Sequence, residues 1–179
     1  MKQSNATKLA YAAGFFDGEG CVRIARSNHK KNRKSPMYYL IVMIRQKDGQ
    51  IMDWLVGNFG GMVILMNKTF IKNGFDKAGE NWIYEWRVEN IKAQLFLKSI
   101  LPFSKLKKPQ IELALQFQER KNQGRLKKQG DNQHYTGLSV YELTERERLK
   151  VELSAMKKIY HKAKNPNVVE YNFNSMVQD

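Results

Sequence analysis

The sequence predicts an α+β protein built as one domain around a four-stranded antiparallel sheet. Three observations predict it. Apolar residues recur at helical spacing near both ends of the chain, and four β-rich segments lie between them. The last of these alternates cleanly, with Trp82, Tyr84, Trp86 and Val88 on one face and Ile83, Glu85, Arg87 and Glu89 on the other. A sheet with one packed and one polar face suits antiparallel pairing.

The first helix starts where Ser4, Asn5 or Thr7 offers an N-cap. Leu9, Ala12, Ala13 and Phe16 carry its apolar spacing until Gly18 and Gly20 stop it. One side is small (Ala6, Ala10, Ala13, Gly14, then Asp17), so two such helices could pack at close range, although an Ala-rich surface face reads the same way. A strand follows in which Cys21, Arg23, Ala25, Ser27 and His29 alternate with Val22, Ile24 and Arg26. Lys30 to Pro36 reads as a basic hairpin loop, and Met37 to Arg45 as a second strand with two apolar faces. A short helix over Gln50 to Asn58 leads through Gly60-Gly61 to a third strand, Met62 to Phe70. Asn73-Gly74 and Ala78-Gly79 mark a long turn before the fourth strand, Trp82 to Glu89. Helices resume over Asn90 to Leu101, end at Pro102 and restart near Pro109. Residues 120–137 are basic, polar and glycine-punctuated, which predicts a loop; Thr144-Glu145-Arg146-Glu147 predicts a capping box that opens a last helix over 144–163. The domain therefore spans residues 1–163, and 164–179 form a loosely ordered tail.

Composition narrows the function. The chain carries 31 Lys and Arg against 17 acids, a net charge of +14. That excess favours a polyanion partner, because each neutralised phosphate releases condensed counterions. Nucleic acid is preferred to an anionic membrane, since no basic amphipathic helix with bulky interfacial residues is present. No apolar run approaches the ~18 residues of a membrane span. Cys21 is the only cysteine, which leaves no internal disulfide and no cysteine-based zinc site. With no apolar leader in the first residues, an intracellular, reducing compartment is expected, whether organelle, bacterium or phage-infected cytoplasm.

Asp17 and Glu19 sit where the first helix ends. An acid at that negative pole is disfavoured by ~0.3–1 kcal/mol. A bound cation, a Lys or Arg partner, or plain solvation would each relieve it, and on spacing alone Asp-Gly and Glu-Gly pairs also make ordinary turns.

Ala12-Ala13-Gly14-Phe15-Phe16-Asp17-Gly18-Glu19-Gly20 resembles the LAGLIDADG motif of homing endonucleases, matching its second, third, sixth and ninth positions. Phe15 and Phe16 replace two aliphatics, Gly18 replaces Ala, and Glu19 replaces the second Asp. Arg45-Gln46-Lys47 resembles the segment that carries the family's active-site glutamine. Pro102-Phe103-Ser104-Lys105-Leu106-Lys107 resembles the one that carries its active-site lysine. The element order is similar to the family's αββαββα unit, with a saddle-shaped sheet and here extra C-terminal helices; the resemblance covers about residues 6–120.

The resemblance implies a site-specific double-stranded DNA endonuclease that hydrolyses phosphodiesters across the minor groove with Mg2+. Glu19 and the Gly18 carbonyl would hold the metal, Gln46 would orient the water network, and Lys107 would place positive charge near the phosphate. Asp17 is expected to close the helix end structurally. Gln50 stands where relatives often carry a basic residue. One motif per chain implies a homodimer through residues 6–17, a self-complementary two-fold contact. The sheet would lie in the major groove. Arg23, Ser27, His29, Tyr39, Ile41, Met43, Leu65, Asn67, Thr69, Glu85 and Arg87 are its outward candidates, and Lys30, Lys31, Arg33, Lys34, Lys68 and Lys72 would contact phosphates. Val22, Ile24, Leu40, Val42, Ile44, Ile64, Trp82, Tyr84 and Trp86 are assigned to the core. An RNA-binding intron maturase, or a non-cleaving DNA-binding protein on the same fold, is the competing reading; neither needs Glu19, Gln46 and Lys107 together.

Overall fold

A computed structural model describes residues 4–27, 35–67, 82–129 and 138–162. Helix α1 (Asn5–Glu19) starts at Ser4, whose hydroxyl accepts the Thr7 N–H at 3.2 Å. It ends at Gly20, and the chain turns there directly into β1 (Gly20–Ser27). A Cβ at position 20 would run into the Phe16 ring and carbonyl, so glycine is required by the tightness of this corner. Strand β2 (Met37–Gln46), helix α2 (Gly49–Phe59), and strands β3 (Met62–Asn67) and β4 (Trp82–Glu89) follow, then helices α3 (Asn90–Ile100), α4 (Lys108–Gln129) and α5 (Val140–Lys162).

The strands form one antiparallel sheet in the order β1-β2-β4-β3, two hairpins joined through β2 and β4. Val22, Ile24, Leu40, Val42, Ile44, Trp86 and Val88 share one face by register and are buried in one cluster with residues of all five helices. Burial of each such large side chain contributes roughly 1.5–3 kcal/mol. Trp86 is the pivot: its indole N–H donates to the Gly60 carbonyl at 2.8 Å, and its ring meets Phe96 edge-on at 5.0 Å. Phe96 in turn meets Phe16 and Phe59, so α1, α2, α3 and β4 are fastened through one aromatic chain.

Five sequence expectations need correction. Strand β3 sits with the opposite parity. Ile64, assigned to the core, pairs with Glu85 on the outward face, whereas Leu65, assigned outward, pairs with Tyr84 on the face that carries Trp86. Met62 to Met66 are all apolar, so alternation carried no information about which face turns inward. Trp82, assigned to the core on the same side, is 46% exposed at the far end of β4.

The predicted loop from residue 120 is helical as far as Gln129. Its Arg, Lys, Gln and Leu residues are good helix formers, Phe117 and Gln118 anchor the preceding turn in the interior, and Lys121 is buried at its start. The capping box does not form. Helix α5 begins four residues earlier, where the Ser139 hydroxyl accepts the Glu142 N–H, and Thr144 lies inside the helix, donating back to the Val140 carbonyl at 3.0 Å. Finally, Ile41 and Met43, assigned to an open outward face, are only 2% and 5% exposed. They stand opposite Glu89 and Arg87, whose long side chains form an ion pair at 2.6 Å. The tail at 164–179, and residues 130–137 of the predicted loop, lie outside the described residues. Among the described residues no helix is long and apolar enough to cross a membrane.

Candidate active site at the end of the motif helix

The C-terminal end of α1 meets the N-terminal end of α4. Lys107 immediately precedes α4, and its carbonyl accepts the Ile111 N–H at 2.9 Å, which makes it the N-cap residue. Its side chain points the other way. The buried ammonium donates to the Phe16 carbonyl at 3.0 Å and to the Asp17 carbonyl, the last turn of α1. Asp17 reciprocates. Its carboxylate accepts the Ser104 hydroxyl at 2.6 Å and the backbone N–H groups of Lys105, Leu106 and Lys107 at 2.7, 3.1 and 3.1 Å. Each charge stands at the unfavourable pole of its own helix and at the favourable pole of its neighbour's. Burial pushes the Asp17 carboxyl upward, but the four hydrogen bonds outweigh it and hold the group below the usual carboxylate range. The expectation that Asp17 closes the helix end structurally is met.

Glu19 differs. It is the last residue of α1, exposed, and among the described residues no hydrogen bond or ion pair reaches its carboxylate. Gly18 is exposed as well, with nothing within 4 Å of where a Cβ would stand. Gly20 pairs with Ile44, so Gln46, two residues further along β2, lies at the same end of the sheet as Glu19. Gln46 is half-buried, opposite Tyr84, and its side-chain carbonyl accepts the Lys47 N–H at 2.8 Å. The three sequence-predicted catalytic residues therefore gather at one end of the domain, with Lys107 already engaged as a helix cap. Among the described residues no group of three or more His, Cys, Asp or Glu could hold a metal. Glu19 with a backbone carbonyl is a hard oxygen donor set, which fits Mg2+ completed by phosphate oxygens and water.

On the outward face of the sheet, Arg23 is exposed and Ser27 and Tyr39 are half-buried; the Lys121 ammonium lies 5.5 Å from the Tyr39 ring centre. Glu85 is not an open reading group: it is 3% exposed and takes the Arg45 Nε at 2.6 Å. Arg87 is half-buried on Glu89. Arg45, absent from the predicted interface, is therefore its most prominent described cation besides Arg23. His29, Lys30, Lys31, Arg33, Lys34, Lys68, Thr69 and Lys72 lie outside the described residues. On the opposite flank of α1, Thr7, Ala10, Tyr11 and Gly14 form an exposed stripe, of which Ala10 and Gly14 were foreseen and Tyr11 was not. Tyr11 is 49% exposed and, with Asp48, Gln50, Ile51 and Trp54, lines an open cleft of about 420 Å³. Ala13, counted on the small face, is buried within the chain's own core.

No protein-family model matches the sequence, and no curated protein matches it. Solved structures do. The homing endonuclease I-CvuI, in complex with the I-CreI target, superposes with a TM-score of 0.63 at 18% identity, covering 94% of this chain and 87% of that one. The archaeal intron-encoded homing endonuclease I-Vdi141I, complexed with DNA, gives 0.63 at 18% identity over 96% and 93%. The LAGLIDADG homing endonuclease I-GzeII, in complex with its DNA target, gives 0.53 at 15% identity over 93% of this chain and 53% of that one. The fold is thus that of the LAGLIDADG homing endonucleases. Within it, this chain spans nearly all of I-Vdi141I and about half of I-GzeII.

Proposed function

We propose that this chain is a site-specific double-stranded DNA endonuclease that acts as a homodimer with a divalent cation, Mg2+ in the first instance. One observation carries the reading: Glu19 is an exposed acid at the negative end of a helix, and no protein group among the described residues neutralises it. Asp17, two residues earlier, shows how this fold treats an acid meant to be silent, by surrounding it with four donors. Support comes also from the net charge of +14 and from the likeness to proteins solved on DNA, among them I-CvuI in the presence of Mg and of Ca.

Glu19 and the Gly18 carbonyl would hold the cation, together with phosphate oxygens. When bound, it would lower the pKa of attached water and offset charge on the leaving oxygen. Gln46 would hydrogen-bond the attacking water. Lys107 would act mainly by fixing the end of α1, and through it Glu19. The exposed Ala10, Tyr11 and Gly14 would receive a second copy of the helix, bringing two Glu19 carboxylates together. Gly14 favours this, because a side chain there would meet nothing within 4 Å inside the chain.

The test is cleavage of plasmids carrying candidate sites with and without Mg2+, using wild type and Glu19→Gln. Metal-dependent linearisation by wild type alone supports the reading. Cutting by Glu19→Gln at the wild-type rate overturns it.

A further inference from the structure

We propose that Arg45 reads a guanine in the inner part of each half-site, and that buried Glu85 is the positioning residue that aims it. The inference rests on the DNA-endonuclease reading and deepens it to a base preference.

The argument begins with placement. Arg45 stands opposite Glu85, and the rungs Ile41–Glu89, Met43–Arg87 and Arg45–Glu85 share the sheet face away from the helices. The Arg45 side chain is 52% exposed and that of Glu85 only 4%, so the acid lies beneath and the guanidinium above it. A buried carboxylate left unpaired is costly. On its other side Glu85 faces Ile64, which offers no charge. Arg45 is therefore held to the acid, and its direction is set before any ligand arrives.

The atoms used matter as much. Glu85 takes Nε at 2.6 Å, and neither Nη has a partner among the described residues. Two parallel N–H donors of this kind match the O6 and N7 acceptors of guanine in the major groove. Arg87 shows the contrast: its Nη2 is spent on Glu89 at 2.6 Å and its side chain is only 25% exposed. Arg23 is exposed, with no ion-pair partner among the described residues, which suits a phosphate contact better than a fixed base contact. Position along the site follows from register. Arg45 adjoins Ile44, the partner of Gly20, which follows Glu19; its base therefore lies on the side of the half-site nearer the scissile phosphates.

The experiment profiles binding and cutting on a target with every base pair substituted in turn. Wild type, Arg45→Ala, Arg45→Lys, Glu85→Gln and the double variant Arg45→Ala/Glu85→Gln are compared, each checked by thermal melting. Wild type is expected to prefer G·C at one inner, symmetry-related pair of positions by about tenfold or more. Arg45→Ala and the double variant, which leaves no buried unpaired acid, should lose that preference at those positions alone. Glu85→Gln should weaken it in part, and Arg45→Lys should not restore it. A uniform loss of affinity over all targets would make Arg45 a phosphate contact and overturn the inference, as would an unchanged profile. A wild type that binds selected DNA without cutting refutes the cleavage reading and leaves the Arg45 profile readable from binding. A wild type that binds no DNA refutes both.

Discussion

Replacing Asp17 with Ala tests the physical centre of this fold. The carboxylate satisfies four donors, of which the Ser104 hydroxyl and the Lys107 N–H are buried and the Lys105 and Leu106 N–H groups partly so. The two partly buried groups can turn to water, and the serine hydroxyl can rotate to another acceptor. The Lys107 N–H has neither recourse. A hydrogen bond to a charged group contributes about 1.5–3 kcal/mol, and an orphaned buried group costs about 1–3 kcal/mol. With one N–H orphaned outright and three donors that lose a charged bond but find other partners, the cost is about 3–5 kcal/mol in all. For a chain of this size that corresponds to about 10 °C in melting temperature. Urea denaturation followed by circular dichroism at pH 7 measures it directly. The sign of the pH dependence follows from the depressed carboxyl. Its stabilisation is present above about pH 4, where the unfolded group ionises, and is lost as pH falls through the lower folded value. The gap between wild type and Asp17→Ala should therefore narrow on acidification below that point. A variant within about 1 kcal/mol of wild type at neutral pH, below the range for even one lost charged hydrogen bond, would refute the reasoning. So would a gap that persists unchanged into strong acid.

Lys107→Met should remove the cap on the Phe16 and Asp17 carbonyls and destabilise the protein by about 1–3 kcal/mol, measured in the same denaturation assay; an unchanged midpoint would show that the cap carries no stability. Gly14→Arg should leave the secondary structure of the chain intact, since nothing lies within 4 Å of that position, while sedimentation shifts from dimer to monomer; a variant that stays dimeric places the contact elsewhere. Glu19→Gln should bind target DNA as wild type does in a gel shift and yield no linear plasmid with Mg2+, so equal loss of binding would assign Glu19 to DNA contact rather than metal.

Most element boundaries were legible because the residues at them have one physical use. Gly20 ends α1 where a side chain would strike Phe16, and the alternation of Trp82 to Glu89 gave β4 both its limits and its buried Trp86 and Val88. What stayed hidden lacked such a signal. Strand β3 is apolar on both faces, so its parity came from pairing Val63 with Trp86 rather than from its own composition. The extension of α4 looked like loop because its residues are polar, yet polarity marks exposure and not conformation. Arg45 escaped notice as an interface residue because its importance depends on Glu85, forty positions away in sequence.

Charge alone made Asp17 and Glu19 look equivalent, two acids at one unfavourable pole. Their surroundings separate them. At the end of α1 Lys107 caps the carbonyls, and Asp17, disfavoured there by ~0.3–1 kcal/mol, is offset by donors of its own from the segment that leads into α4. Glu19 receives nothing of the kind from the described residues. A lone carboxylate per chain is a poor metal site, but two of them across a symmetry axis, beside a phosphate, supply the oxygens that Mg2+ accepts while it keeps several waters. Under the proposed function, then, the incompleteness of the site in one chain and the open stripe of Ala10, Tyr11 and Gly14 beside it have one explanation: the second copy and the DNA finish what a single chain leaves charged.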